Sequence, residues 1–221
     1  MAGDRWLVVT NGTWPDRERM KGLVGASRQL IVCDGALNRW TDDLKVPTIV
    51  IGDFDSVDSS LLTAWESKGA ELLNVEDQDT NDLHKALAHI KSIGAGSSLV
   101  VGATGGDPAH ELANLLTCST TLLETQWHTQ THEYLFFNPG VNYSIDFFPG
   151  QEFSLFAFEM STRVMLKGAH FPLDGDTLDS GSRGLHNRAT ATQVDLAYES
   201  GSLMMIRALR EEGPSEDGYE A

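Results

Sequence analysis

The stretch Ile49-Val50-Ile51-Gly52-Asp53-Phe54-Asp55-Ser56 decides how the rest of the chain is organised. Three apolar residues of high strand propensity lead into a glycine, and two aspartates follow it, one residue apart. Side chains at i and i+2 of an extended segment lie on one face, so we expect both carboxylates to point the same way. Like charges repel unless a cation lies between them, and Mg²⁺ prefers such oxygen ligands. The stretch predicts a metal-nucleotide site at a strand end; the simpler alternative is a strand followed by a turn.

A second acidic segment, Glu76–Asp82, runs directly into a predicted helix. The apolar positions Leu83, Ala86, Leu87 and Ile90 have the spacing of one helix face. Acids at a helix start cap free N–H groups and complement the helix dipole, which is the structural alternative. Four acids among these seven residues exceed what capping needs, so the segment also favours metal or phosphate chemistry.

The charge, the cysteine spacing and the length of the apolar runs exclude several classes of protein. A formal net charge of −16 over 221 residues argues against binding to nucleic acid or to an anionic membrane. Cys33 and Cys118 are far apart and lack CxxC spacing, so neither a disulfide framework nor a zinc site is expected. No apolar run is long enough for a membrane helix. These features predict a cytoplasmic protein in a reducing environment.

Strands alternate with helices in residues 1–135, which predicts an α/β domain with a parallel sheet covered on both faces. Predicted strands lie at 6–10, 29–33, from Pro47 to the aspartates, 72–75 and 98–102, with helices at 15–24, 59–68, 82–93 and 110–123. In open parallel sheets, ligands bind beyond the carboxyl ends of the strands. The polar residues that follow predicted strand ends are Asn11, Asp34, Asp53, Asp55, Gly105 and Gly106. We therefore expect them to converge on one edge of the sheet, close to the second acidic segment.

The pattern changes after residue 131, where short runs of strand-forming residues lack helical periodicity. These runs are 134–137, 141–148, 153–158, 163–167, 190–198 and 203–209. Turn residues such as Pro139-Gly140 and Pro149-Gly150 separate them. This predicts a C-terminal antiparallel β-sandwich over 136–211, followed by a disordered acidic tail at 212–221.

Several segments together resemble the thiamine pyrophosphokinases, also called thiamine diphosphokinases. They are Asp34-Gly35-Ala36-Leu37-Asn38, Gly52-Asp53-Phe54-Asp55-Ser56, Asp77-Gln78-Asp79-Thr80-Asn81-Asp82 and Gly102-Ala103-Thr104-Gly105-Gly106, with Leu166–Leu173 and Gly184-Leu185-His186-Asn187 farther on. The resemblance covers most of the chain, in the expected order. It implies an ATP-binding catalytic α/β domain and a thiamine-binding β-sandwich, in a homodimer whose active site is shared between subunits.

The resemblance also implies an activity and roles for particular residues. The reaction is transfer of pyrophosphate from Mg²⁺-ATP to the hydroxyl of thiamine, giving thiamine diphosphate and AMP. Asp53, Asp55 and Asp82 match the positions of catalytic metal ligands. The residues that match nucleotide- or substrate-binding positions are Asn11, Asp34, Gln78, Asp79, Thr104, Gly105, Gly106, His110, His186 and Asn187.

The chain departs from the family pattern at three positions. Asp107 occupies the place of an arginine, Ala109 that of an aspartate, and His186 that of a serine. These departures concern the acceptor more than the metal. A pyrophosphokinase for another hydroxyalkyl heterocycle, such as a pterin, and a non-catalytic nucleotide- or thiamine-binding homologue therefore stay open as alternatives.

Overall fold

The computed structural model describes residues 5–209, so the predicted tail at 212–221 lies outside the described residues. The strands are β1 (Arg5–Val9), β2 (Gln29–Cys33), β3 (Ile49–Gly52), β4 (Glu71–Asn74), β5 (Ser97–Val101), β6 (Glu124–His128), β7 (His132–Phe137), β8 (Tyr143–Asp146), β9 (Glu152–Lys167), β10 (Leu173–Leu178), β11 (Asn187–Arg188), β12 (Gln193–Ala197) and β13 (Ser200–Ala208). The helices are α1 (Arg17–Ala26), α2 (Asp34–Leu37), α3 (Ser59–Ser67), α4 (Asp82–Ser92) and α5 (Pro108–Thr120). None of these helices is long and apolar enough to cross a bilayer.

The first six strands form the predicted parallel sheet, in the order β4-β3-β2-β1-β5-β6. Alternate residues of its buried strands point to opposite faces, as the pleat requires. Val8, Ile31 and Val100 pack on the face covered by α4 and α5. Leu7 and Leu30 pack on the opposite face, with residues of α1, α2 and α3. Both faces of β1, β2, β3 and β5 are therefore buried, which explains why these four strands are mainly apolar.

The prediction of a parallel sheet and a separate antiparallel β-sandwich is corrected, because the parallel and antiparallel strands join in one mixed sheet. Strand β7 pairs antiparallel with β6, and the order continues β7-β13-β9-β12-β8. Strand β6 was absent from our prediction because its sequence, Glu-Thr-Gln-Trp-His, is polar at every second position. Its other positions, Thr125 and Trp127, are buried. The domain bounds of 1–135 and 136–211 stay a prediction.

Strand β9 joins the two layers of the antiparallel part. Two short runs were predicted at 153–158 and 163–167, but the structure has one strand of 16 residues. Its first part pairs with β13, and its last part pairs with β10 and β12. Register shifts and a positive φ at Arg163 mark the bend between them. The bend folds the strand around a core that includes Phe147, Leu155 and Leu166.

A buried charged pair joins β7 to β13 beside the parallel strands. Glu133 lies directly opposite His128 on β6 and Arg207 on β13. Its Oε1 accepts a hydrogen bond from Arg207 Nε at 2.7 Å, and both side chains are 10% exposed. Burial raises the pKa of Glu133, but His128 and the charge of Arg207 outweigh burial and hold the pKa below its usual 4.5. The ionised carboxylate thus stabilises the strand junction.

We expect Glu133→Gln to destabilise the protein at neutral pH by about 1–3 kcal/mol, because Arg207 loses its anionic partner. A carboxyl group with a lowered pKa stabilises the fold above its unfolded-state pKa, and this contribution disappears as the pH falls through the folded-state pKa. The difference in Tm between wild type and variant should therefore shrink as the pH falls below 4.5. Glu152→Gln, at an exposed ion pair with Arg188, is the control and should change little. A Tm difference for Glu133→Gln that stays constant with pH would contradict this role.

Candidate active site

The predicted convergence of polar residues at one edge of the sheet is present. Asn11 follows β1, Asp34 follows β2, and Asp53 follows β3. All three strands run parallel, so their carboxyl ends meet at the same edge. A cleft of about 520 Å³ opens there, which is in the usual range for small-molecule sites. Nine of the predicted site residues line it: Asn11, Asp34, Asp53, Asp55, Gln78, Asp82, Thr104, Gly106 and His110.

Asp34 is the most buried carboxylate of the cleft, with 2% of its surface exposed. One oxygen accepts from the N–H of Gly35, and the other accepts from the N–H of Phe54 at 3.0 Å. Burial and the nearby charge of Asp82 nevertheless raise the pKa of Asp34 to about 6. Two hydrogen bonds thus hold the Asp34 carboxyl in place, and within residues 5–209 it makes no ion pair with a lysine or arginine.

Asp53 and Asp55 lie beyond the last residue of β3, as the opening stretch of sequence predicts. Asp53 accepts hydrogen bonds from Asp55 N at 3.3 Å and from Gln78 Nε2 at 2.9 Å, which hold the pKa of Asp53 below its usual value. Oxygen atoms of Asp34, Asp53 and Asp55 lie within 4.8 Å of one another. A set of carboxylate oxygens at this separation fits a hard divalent cation such as Mg²⁺.

Asp82 lies beside this group of three, although the resemblance made it a metal ligand with Asp53 and Asp55. It begins α4, and its carboxyl interacts with that of Asp34. Its Oδ1 is 3.4 Å from the ammonium of Lys85, one helical turn on. The oxygens that lie within 4.8 Å of one another are thus those of Asp34, Asp53 and Asp55, and Asp82 adjoins this group through its contact with Asp34.

A chain of amide groups holds the start of α4 against the end of β5. Asn81 caps α4 by accepting from His84 N at 2.9 Å. Its Nδ2 donates to Asn114 Oδ1, and Asn114 Nδ2 donates to the carbonyl of Ala103. These bonds connect α4, α5 and the glycine turn, so they position two sides of the cleft relative to each other.

The turn Thr104-Gly105-Gly106 is fixed by contacts to neighbouring residues. Thr13 Oγ1 donates to the carbonyl of Gly105 at 2.6 Å, and Gly105 N donates to Glu111 Oε2 at 3.0 Å. The Glu111 carboxylate thus accepts the hydrogen bond of a backbone N–H that could otherwise bind a phosphate oxygen. Asp107, the departure from an arginine, caps α5 by accepting from Ala109 N at 2.7 Å.

Four predicted site residues do not line the cleft of this chain. Asp79 is exposed, and its N–H donates to Asp77. Gly105 lies in the turn just described. His186 is exposed, and its N–H donates to Ser154. Asn187 is buried and exchanges hydrogen bonds with the backbone of Phe171, beside a second groove of about 370 Å³.

Sequence reasoning missed Lys85, Asn114 and Glu111, which all line the cleft. A lysine in a helix is most simply expected on a solvated face, but the side chain of Lys85 is only 3% exposed. It lies between the apolar positions Leu83 and Ala86, and that position was the available signal. Asn114 lies on the buried side of a helix, where a polar residue also requires a partner.

Comparison with known proteins relates residues 20–129 to one protein family. Residues 20–129 match the family model described as thiamin pyrophosphokinase, catalytic domain. The chain is 32% identical over 132 residues to thiamine pyrophosphokinase 1 of Oryza sativa subsp. japonica, and the match covers 49% of each. It is 31% identical over 132 residues to thiamine pyrophosphokinase 2 of Arabidopsis thaliana, a match that covers 49% of this chain and 48% of that protein. The chain thus spans about half the length of the curated relatives it matches.

A comparison of folds finds proteins that carry the same name as these relatives. The crystal structure of thiamine pyrophosphokinase from Bacillus subtilis superposes with a TM-score of 0.76 at 21% identity, and covers 92% of this chain and 98% of that one. This likeness includes the antiparallel strands beyond the family-model match. From the catalytic-domain match together with the curated relatives, we conclude that residues 20–129 of this chain belong to the thiamine pyrophosphokinase family.

Proposed function

We propose that this protein is a thiamine diphosphokinase that transfers pyrophosphate from Mg²⁺-ATP to the hydroxyl of thiamine. The proposal depends mainly on one observation, which is that carboxylate oxygens of Asp34, Asp53 and Asp55 lie within 4.8 Å of one another. They do so in the cleft of a chain whose residues 20–129 belong to this family. Transfers of this kind need little covalent help from the protein, so positioning and charge neutralisation dominate.

The surroundings of Asp34 support a cation at this place. An added Cβ at Gly52 would lie 2.5 Å from Cγ of Asp34, so only glycine lets this carboxyl approach the end of β3. Asp34, Asp53 and Asp55 would hold Mg²⁺, and the bound ion would neutralise charge on the phosphate oxygens. Among the described residues, Lys85 is the lysine or arginine nearest to these three carboxylates. Its Nζ lies 3.8 Å from Asp53 Oδ2.

In the proposed reaction, the thiamine hydroxyl oxygen forms a bond to the β-phosphorus of ATP, and the bond between the β-phosphorus and the oxygen bridging to the α-phosphorus breaks. AMP leaves, and the hydroxyl proton passes to a carboxylate of the cleft, for which Asp55 and Asp82 are the candidates. Gln78 orients Asp53 through its 2.9 Å hydrogen bond. His110 also lines the cleft, and we assign to it a contact with the nucleotide or the acceptor.

We further propose that the enzyme is a cytoplasmic homodimer with an active site shared between subunits. His186 and Asn187 belong to the antiparallel layer, beside the second groove and not in the cleft. The groove is bordered by Phe171 and Leu185, which are 61% and 38% exposed. A second copy would bring this groove to the cleft of its partner, so that His186 and Asn187 could contact thiamine. Both cysteines are free and buried, which fits a reducing compartment.

The activity is tested by measuring AMP release from Mg²⁺-ATP with and without thiamine. We expect AMP to form only when thiamine is present, together with thiamine diphosphate. If AMP forms only with another hydroxyalkyl heterocycle, such as a hydroxymethyl pterin, that compound is the acceptor and thiamine is not. Nucleotide binding without AMP formation with any acceptor would identify a non-catalytic homologue and contradict the proposal.

Asp53→Asn should reduce AMP release by about a hundredfold or more, because it removes a charge that stabilises the bound ion and keeps the side-chain shape. The variant should still unfold in one cooperative thermal transition. Asp42→Asn is the matched control, since Asp42 makes an exposed ion pair with Lys68 far from the cleft lining. Normal turnover by a folded Asp53→Asn protein would exclude the role of Asp53.

Gly52→Ala tests the close approach of Asp34 to the end of β3. The added methyl group displaces the Asp34 carboxyl, so we expect Mn²⁺ affinity to fall about 10–100-fold, as for changes that misorient a ligand. Gly25→Ala in α1 is the control, because its added Cβ meets no atom within 4 Å. The control should bind Mn²⁺ normally and gain about 0.5–1 kcal/mol of stability. Unchanged Mn²⁺ binding by Gly52→Ala would show that Asp34 is not a ligand of the ion.

A further inference from the structure

Lys85 is buried in a place that is unfavourable for a positive charge. Its side chain is 3% exposed, and lysine is almost never buried to this extent unless it is paired. It also lies in the first turn of α4, where the helix dipole disfavours a cation. Burial and the dipole both oppose an ammonium group here, so strong compensating contacts are required.

The compensating contacts come from two elements of the candidate metal site. Lys85 Nζ is 3.8 Å from Asp53 Oδ2, which follows β3, and 3.4 Å from Asp82 Oδ1, at the start of α4. The ammonium therefore links the strand end to the helix that together form one side of the cleft. It makes its electrostatic contacts with the same carboxylates that face the proposed ion.

The charge balance of the cleft shows why one lysine has a large effect. Seven acidic residues line the cleft: Asp34, Asp53, Asp55, Asp77, Asp82, Asp107 and Glu111. Lys85 is the only lysine or arginine among the lining residues within 5–209. Without a bound ion, it is thus the one fixed positive charge that offsets the repulsion among these carboxylates.

We infer that the ammonium of Lys85 is a built-in counter-cation of the metal site, which balances Asp53 and Asp82 without a divalent ion and lowers the affinity of the cleft for a free divalent ion. The inference uses the metal site of the proposed function but not its acceptor or its turnover. A divalent ion and the ammonium compete for the same carboxylates and repel each other at short distance. Lys85 thereby favours an ion that arrives with a phosphate ligand, whose negative charge offsets this repulsion. It is a positioning residue in our assignment.

Two roles for Lys85 predict opposite results when the charge is removed. If Lys85 only holds Asp53 and Asp82 in place, Lys85→Met should loosen the ligands and weaken ion binding. If it is a counter-cation, Lys85→Met should strengthen the binding of a free ion, because a competing charge is gone. The direction of the change in affinity therefore distinguishes them.

The experiment measures binding of Mn²⁺, which prefers the same oxygen ligands as Mg²⁺, by electron paramagnetic resonance without nucleotide. We expect Lys85→Met to bind Mn²⁺ about tenfold more tightly than wild type. Lys91→Met, at an exposed lysine on the same helix, is the control and should match wild type. An unchanged or weaker Mn²⁺ affinity in a folded Lys85→Met protein would overturn the inference.

Two further measurements separate charge from packing. Lys85→Arg keeps the positive charge and should bind Mn²⁺ like wild type; binding as tight as that of Lys85→Met would overturn the inference. Should Lys85→Met unfold in EDTA, added Mn²⁺ should restore its circular dichroism spectrum, and a failure to refold would also overturn it. None of these measurements needs thiamine or turnover, so a protein that releases no AMP still gives a result for Lys85.

Discussion

Repulsion among carboxylates is the constraint on which the rest of the site depends. Asp34, Asp53 and Asp55 are held with oxygens within 4.8 Å of one another, and Asp82 lies beside them. Such an arrangement is costly unless positive charge is supplied. The protein supplies part of that charge permanently, through Lys85, and the proposed Mg²⁺ would supply the rest. Burial of apolar side chains in the sheet therefore offsets the repulsion among these carboxylates and keeps them close enough to bind a cation.

The sheet can bear this cost because the acids lie at its edge and not within it. Strands β1, β2, β3 and β5 bury apolar side chains on both faces, which gives the scaffold its stability. The polar residues begin where each strand ends, at the same edge. At this edge, a few positions require glycine because a side chain of a neighbouring residue lies against the backbone. Gly52 beside Asp34 is such a position.

The antiparallel strands extend this scaffold without a break, through the pairing of β6 with β7. Asn187, which pairs with Phe153 of β9, lines a groove separate from the cleft, and His186 precedes it in the chain. An acceptor site divided between these two places needs both subunits of the proposed homodimer. The departures at Asp107 and His186 then have different consequences, because Asp107 is already used as a helix cap while His186 is free to contact a ligand.

The sequence by itself determined the parallel strands β1 to β5 and the edge where Asn11, Asp34, Asp53 and Asp55 meet. Local patterns suffice for these features, because a strand end is marked by the change from apolar to polar residues. Only the tertiary structure decided that the Asp34 carboxylate lies with those of Asp53 and Asp55, that Lys85 is buried, and that β6 joins the two kinds of pairing. Each of these depends on contacts between residues far apart in the chain. A carboxylate or an ammonium has the same local sequence signature whether it faces water or another charge, so its partner is known only once the chain is folded.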